Sequence, residues 1–361
     1  MLTGGKPLAP TGEPWHGDPV TGEPAIAGDE RLAGWVAEDF GLALVAAELV
    51  PYGADDAARL WRATDADGAQ WAVKLSGGGT PAGLCVTAHL SARGVPGIVA
   101  PLTTRDGRLW SVHEGRRLSV VPWLTADRAL DGGMDVAHWR TYGEVLAATH
   151  AVAPTDELAA LLPREDHTHA AVSAATRETD RRLRAVDGSA DRWTREVADR
   201  WRAAADDVST LLDRVDRLGA ELRDRPADLV VCHGDPHLGN LLLDPDGRVW
   251  LIDWDDAVLA PRERDLMFVT GGVLAFAPVT PAEQAAFFAG YGPVDPDPVR
   301  LAYHLGVRAL DDIGSWARDV ADADRPEAER VRALKIVDGL LSPVGLVSLA
   351  REALRDLGRW G

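Results

Sequence analysis

The sequence predicts an α+β protein in two lobes, a small β-rich N-terminal lobe and a larger, mainly helical C-terminal lobe. Three observations carry the prediction. Between Leu42 and Leu75, apolar-rich runs are punctuated by turn residues, and Asp67-Gly68 separates two of them as a hairpin turn does. From Met134 onward the apolar residues recur at helical spacing instead. Inside that helical region one stretch, Val230 to Asp255, returns to short apolar strands that end in charged residues, where a fold normally places only turn residues. At 361 residues the chain is long enough for two lobes and a sizeable core. The patterning divides it into an arm over 1–30, an N-lobe over 31–124 and a C-lobe over 125–361.

The arm carries Gly, Pro, Thr, Glu and Asp with almost no large apolar residue except Trp15. Nothing in it offsets the entropy of ordering, so it is expected to be flexible. Leu32, Trp35, Val36 and Phe40 then suggest a short helix, followed by a strand over 42–50. The loop from Pro51 to Ala58 has a single glycine, Gly53, and its own residues do not define a phosphate cradle. Arg59 to Ala63 and Gln70 to Leu75 are the hairpin strands, and a helix is expected over about 81–93. Ile98 to Leu102, Leu109 to Val112 and Leu118 to Trp123 read as further strands of the same sheet. Trp139, Tyr142, Leu146 and Thr149 share one face of a helix ending near His150. Arg195 to Pro226 reads as a long amphipathic helix beside the substrate cleft, and Leu301 to Asp319 as another helix. The His167-Thr-His169 pair has no acid or cysteine at ligand spacing and is not read as a metal site.

The chemistry concentrates at His233-Gly-Asp235-x-x-x-x-Asn240 and, after a turn and a strand, at Asp253. The arrangement matches the working parts of a kinase-type phosphoryl-transfer site. A hydroxyl nucleophile needs a positioned proton acceptor, and Asp235 supplies one carboxylate on a tight loop. Asn240 offers a neutral oxygen and Asp253 an anionic one to a hard cation such as Mg²⁺. Asp255, on the same side of an extended chain, is open between tuning the metal and contacting the loop. His233 reads as an organiser of the loop rather than a reactant, and His237 is ambiguous. Lys74 ends a strand in a chain that avoids lysine: Lys6, Lys74 and Lys335 are the only three among 38 basic residues. A compact point charge, not an Arg fork, is wanted there.

Together with Ile252-Asp-Trp-Asp255 and Leu259-Ala-Pro-Arg-Glu-Arg-Asp-Leu-Met-Phe268, that motif resembles the aminoglycoside phosphotransferase family, and within it the spectinomycin phosphotransferase branch. The resemblance spans residues 35 to 320 and implies a bilobal, protein-kinase-like fold. It implies transfer of the γ-phosphoryl group of ATP or GTP, with Mg²⁺, to a hydroxyl of a small aminocyclitol or aminoglycoside. Asp235 would be the base, and Asn240 and Asp253 the metal ligands. The run Trp71-Ala-Val-Lys74 resembles the strand motif whose lysine binds the α/β-phosphates. Val120 to Leu124 would be the hinge, with backbone groups of Val121, Trp123 and Leu124 reading the purine. Arg264 and Asp265 are expected to form a buried Arg–Asp lock. Asp311 and Asp312 are nominated for the amines of a cationic acceptor, with Asp255, Glu263 and Trp316 as lesser candidates. One departure stands out. No Asp or Glu occurs between Lys74 and Asp106, so the helix after that strand lacks the Glu that kinases pair with the lysine.

The bulk composition, 46% hydrophobic and 26% charged, is that of an ordinary soluble domain. A net charge of −18 argues against nucleic acid and fits a cationic small substrate, although a solvated acidic surface accounts for it as well. Cys85 and Cys232 lie in apolar segments and read as buried small hydrophobes. With no apolar run long enough for a membrane and no signal-peptide pattern, a cytoplasmic location is expected. Two other classes use some of the same residues. A metal-dependent hydrolase could use His233, Asp235, His237, Asp253 and Asp255, but leaves the hairpin and Lys74 without a role. A catalytically idle kinase-like binding protein accounts for the missing helix Glu, but not for the intact Asp235.

Overall fold

A computed structural model describes residues 30–50, 58–124, 126–270, 272–274 and 277–360. The expected arm and the loop Pro51 to Ala57 lie outside the described residues. In the N-lobe, α1 (Glu30–Phe40) precedes β1 (Leu44–Leu49), β2 (Ala58–Asp65) and β3 (Gln70–Ser76). There follow α2 (Ala82–Ala92), β4 (Ser111–His113) and β5 (Arg116–Pro122). The five strands form one antiparallel sheet in the order β1-β2-β3-β5-β4. Its core is built by Leu32, Val36 and Phe40 of α1 against Trp61, Val73, Leu118 and Val120. The hairpin between β2 and β3 is closed by Asp65, whose carboxylate accepts the amides of Asp67 and Ala69 and the Trp71 indole N–H. Gly68 takes the left-handed conformation (φ 84°) that the turn requires.

Ile98 to Leu102 does not form the expected strand. Leu102 donates its amide to the Val120 carbonyl, but Pro101 lies within the run and Pro96 shortly before it, and proline cannot donate to a ladder.

The C-lobe opens with β6 (Asp127–Arg128), α3 (Ala129–Gly132), α4 (Val136–Ala151), α5 (Asp156–Leu161), α6 (Ala170–Arg184) and α7 (Arg192–Arg223). The segment from Val230 to Ala260 contributes β7 (Val230–Cys232), β8 (Leu241–Leu243), β9 (Val249–Leu251) and β10 (Val258–Ala260). Helices α8 (Glu263–Thr270), α9 (Pro281–Tyr291), α10 (Pro298–Ala321), α11 (Glu327–Leu340) and α12 (Leu346–Asp356) complete it. Two small antiparallel sheets, β6-β8-β9 and β7-β10, carry the loops between them.

Trp139, Tyr142, Leu146 and Thr149 are buried along α4, as their spacing predicts. Asp191 caps α7 by accepting the Trp193 and Thr194 amides. Its apolar stripe then packs within the C-lobe core together with α10 rather than standing beside a cleft. The approach is close: a Cβ on Gly306 would lie 2.4 Å from the Val215 side chain. Among the described residues, no helix is long and apolar enough to cross a membrane.

Candidate active site

The loop after β7 is held by its backbone before any side chain acts. Asp265 of α8, fully buried, accepts the amides of His233 and Gly234 at 2.8 Å each and meets His150 Nε2 at 3.1 Å. Burial works against its charge, but the hydrogen bond and charge from His150 and the loop amides outweigh it and hold the carboxyl below the usual range. Gly234 has φ 88°, and a Cβ there would lie 2.2 Å from the Asp256 carbonyl, so only glycine lets the two loops touch.

The expected Arg264–Asp265 lock is not present. Adjacent residues on a helix do not face each other, and Asp265 turns to the loop while Arg264 Nε is buried with no hydrogen-bond partner among the described residues. His150, expected to pack, instead links Asp265 to the Tyr291 hydroxyl at 2.7 Å.

His233 Nδ1 accepts the Asp235 amide at 3.2 Å, which leaves the ring proton on Nε2 to be donated to the Ile252 carbonyl at 2.9 Å. This imidazole therefore ties the loop to the chain entering Asp253. His237 Nδ1 accepts the Gly239 amide at 2.9 Å and starts a single 3₁₀ turn over Leu238–Asn240. Asn240 donates its side-chain N–H to the Asp235 carbonyl at 2.9 Å, which fixes the amide and aims its oxygen elsewhere.

Asp253 sits in the left-handed region (φ 62°, ψ 66°), costly for a residue with a Cβ and common at functional sites. A 3₁₀ turn over Trp254–Asp256 follows, so the chain is not extended as the sequence suggested. Both acids nevertheless reach the N-lobe. Lys74, paired between Leu60 and Ser119 at the centre of the sheet, has Nζ 2.5 Å from Asp255 Oδ2 and 3.8 Å from Asp253 Oδ1. Asp255 thus faces the lysine, not the acceptor side for which it was nominated. Helix α2 packs against this segment through Gly83, where a Cβ would lie 2.4 Å from the Trp254 carbonyl.

Asp253 keeps 55% of its side-chain surface, yet it stands among enough protein atoms that burial raises its carboxyl, against the opposing pull of Lys74. Asp235 is more enclosed, with 18% of its side chain exposed, and burial raises its carboxyl too, against the charge of Arg308.

Arg308, from the middle of α10, was not anticipated. Its Nη1 lies 2.8 Å from Asp235 Oδ1, and its Nε 2.8 Å from Asp312 Oδ1. The latter is a close ion pair without a well-directed hydrogen bond. His237 Nε2 stands 3.5 Å from the other Asp235 oxygen. Burial and the nearby Arg308 charge push that imidazole down to about 4, so it is neutral at pH 7. The signal that could have found Arg308 is its place four residues before Asp312 on a predicted helix, the spacing of an ion pair.

The remaining acceptor-side nominations divide. Asp312 joins the site through Arg308, while Asp311 is exposed. Glu263 is buried and caps the approach to α10, accepting the Asp297 amide at 2.9 Å, and Trp316 packs half-buried on the C-lobe core. At the hinge, Val121 is paired with Ala72, and Trp123 donates its amide to the Gln70 carbonyl at 2.9 Å. The Arg62 guanidinium covers the Trp123 ring at 5.3 Å. Neither the Trp123 amide nor that ring face is left for a base. Because a trans peptide points its C=O opposite its N–H, the Pro122 carbonyl is the hinge group turned away from β3.

Elsewhere, His150, Cys232 and Asp265 lie close enough to hold an ion. The first and last are already hydrogen-bonded, and burial pushes the Cys232 thiol far up, so its sulfur only donates weakly to the Ala260 carbonyl at 3.6 Å. His169 bonds Asp216 at 2.8 Å and the Tyr303 hydroxyl at 3.1 Å.

A small antiparallel sheet bearing a central lysine, over a helical lobe that presents Asp235, Asn240 and Asp253, defines a kinase-type phosphotransferase. The model of the phosphotransferase enzyme family matches residues 48–304, and the chain belongs to that family. Among solved structures, the spectinomycin phosphotransferase APH(9)-Ia in complex with ADP and spectinomycin is similar with a TM-score of 0.79 and 23% identity, over 90% of this chain and 97% of that one. An amicoumacin kinase in complex with AMP-PNP and Ca²⁺ gives 0.58 at 15% identity, over 88% and 95%. A macrolide 2′-phosphotransferase type I gives 0.53 at 20%, over 86% and 97%. At these identities the likeness is one of fold. No curated protein matches the sequence.

Proposed function

We propose that the protein is a cytoplasmic small-molecule kinase that transfers the γ-phosphoryl group of ATP or GTP to a hydroxyl of an aminocyclitol or aminoglycoside antibiotic, spectinomycin first, and so confers resistance. The observation that carries this reading is the convergence of Asp235, Asn240 and Asp253 under Lys74 on a backbone locked by Asp265. A loose phosphoryl-transfer transition state asks mainly for positioning and charge, and this cluster supplies both.

In that reading Asp235 accepts the proton of the acceptor hydroxyl. Lys74 exchanges Asp255 for the nucleotide phosphates, and the Pro122 carbonyl with Leu124 reads the base. Asn240 and Asp253 would hold Mg²⁺. The donor set fits: an amide oxygen left over once the Asn240 N–H is committed, and a carboxylate whose charge is opposed by its neighbours Asp255 and Asp256 as well as by burial. The ion would neutralise charge on the phosphates. The similarity to the spectinomycin phosphotransferase supports the acceptor.

One observation favours a second reading. Asp312, nominated for an acceptor amine, is already paired with Arg308, so an alcohol that brings fewer amines, such as a macrolide or a sugar, would fit the same centre, as would a choline-like compound with its single cation.

The test is mass spectrometry of a panel of such compounds incubated with the protein, Mg²⁺ and ATP or GTP, beside Asp235→Asn. One added phosphate on spectinomycin, lowered roughly 10²- to 10⁴-fold in the variant, is expected. Phosphate on another compound would select the second reading, and full turnover by Asp235→Asn would refute the role of Asp235.

A further inference from the structure

We infer that Arg308 is a positioning residue that clamps one oxygen of Asp235 and thereby selects the other as the atom that meets the acceptor hydroxyl. Asp312 acts only through Arg308. The inference rests on the proposed role of Asp235 and deepens it.

The geometry is that of a rigid bracket. The backbone of α10 is fixed where it crosses α7 at Gly306, one half-turn before Arg308. From there the guanidinium reaches Asp235 Oδ1 with Nη1 and Asp312 Oδ1 with Nε, both at 2.8 Å. It also lies over the Phe268 ring at 5.6 Å. Phe268 belongs to α8, the helix whose Asp265 holds the loop backbone. Backbone and side chain of the Asp235 loop are thus referred to the same helix.

An exposed Arg–Asp pair is worth little, but here the Arg308, Asp235 and Asp312 side chains keep only 21%, 18% and 18% of their surface. Two carboxylates at this depth are compatible only with a cation between them. The planar fork of an arginine serves both at once in a fixed geometry, where a lysine would offer a flexible point charge. With Oδ1 engaged, Oδ2 remains, flanked by the neutral His237 at 3.5 Å. As the acceptor oxygen bonds to the γ-phosphorus and the bond to the leaving nucleoside diphosphate breaks, the hydroxyl proton passes to Oδ2.

The experiment compares Arg308→Met, Arg308→Ala, Asp312→Asn and Asp235→Asn in the full chain. It uses ATP or GTP and whichever acceptor the unmodified protein phosphorylates. Arg308→Met should lower kcat by roughly 10²-fold, the scale of a misplaced catalytic group, with nucleotide KM unchanged within about twofold. Millimolar methylguanidinium should restore part of the activity of Arg308→Ala and none of that of Asp235→Asn. Asp312→Asn should cost less, and adding it to Arg308→Met should cost nothing further.

The inference is overturned if Arg308→Met keeps its kcat while Asp235→Asn is inactive. It is equally overturned if the loss goes in step with lost nucleotide binding and a lowered melting temperature, without rescue. Full turnover by Asp235→Asn would instead remove the underlying reading. A crystal structure of Arg308→Met tests the geometry without any acceptor: a carboxylate of Asp235 rotated from its present position supports the bracket, and an unmoved one refutes it.

Discussion

The lock beneath the catalytic loop makes a quantitative prediction for Asp265→Asn. The carboxylate accepts the Gly234 amide on Oδ1, and the His233 amide and His150 Nε2 on Oδ2. An amide of the same shape has one oxygen and one NH₂. Whichever way it turns, the NH₂ confronts a backbone N–H, so one charge-assisted bond is lost and two donors are buried face to face. A hydrogen bond to a charged group contributes about 1.5–3 kcal/mol and a buried unsatisfied group costs about 1–3 kcal/mol, which together give a destabilisation of about 2.5–6 kcal/mol, centred on about 4 kcal/mol. Unfolding of the 361-residue chain carries an entropy of about 0.8 kcal/mol per kelvin. The melting midpoint should therefore fall by about 5 °C, and by more if the C-lobe melts alone. Because the amides of His233 and Gly234 lead directly into Asp235, kcat should fall at temperatures where the variant is still folded. Calorimetry and kinetics at 15–20 °C check both. A variant within 1 kcal/mol of the parent with unchanged kcat would refute the claim that Asp265 carries the loop.

Three further predictions rest on other parts of the molecule. Lys74→Ala should raise the nucleotide dissociation constant by roughly tenfold or more, as expected for loss of a phosphate charge pair. Asp255→Asn should leave that constant unchanged or tighter, because it removes the competitor 2.5 Å from Lys74, and isothermal titration distinguishes the two. His304 is buried beside His167 and the positive Arg264 and Arg300, with only Glu165 of opposite sign at 3.9 Å, and burial first, then these charges, hold it well below its usual range. It is neutral when folded and protonates near pH 6.5 when unfolded. Its contribution is therefore present above about pH 6.5 and is lost as pH falls, by up to about 1.4 kcal/mol per unit. His304→Leu should lessen the fall of the urea midpoint between about pH 6.5 and 5, and an unchanged slope would exclude His304 as a contributor.

What the sequence made legible follows from how local each signal is. The hairpin was readable because its turn is built within five residues, from Asp65 to Ala69. Asp235, Asn240 and Asp253 were readable because one short segment carries them all. Ile98 to Leu102 is apolar enough to read as a strand, but Pro101 within it and Pro96 before it keep it out of the ladder. Arg264 and Asp265 are adjacent in sequence, and adjacent side chains on a helix do not face each other. The partners that set the geometry are of a different kind. Asp265 lies 32 residues from His233, and Arg308 lies 73 from Asp235. No spacing rule connects such pairs, and arginine is the commonplace cation of this chain. Lys74 could be singled out by rarity, whereas Arg308 could not. Its neighbour Asp312 was noticed for its charge, and the same charge was assigned to a substrate amine because no protein cation was known to reach it. Asp312 of α10 and Asp235 are one electrostatic unit, joined by Arg308. If the proposed acceptor enters here, it meets a carboxylate pair already bridged by a guanidinium, and an ammonium group on it would have to compete with Arg308 for that pair.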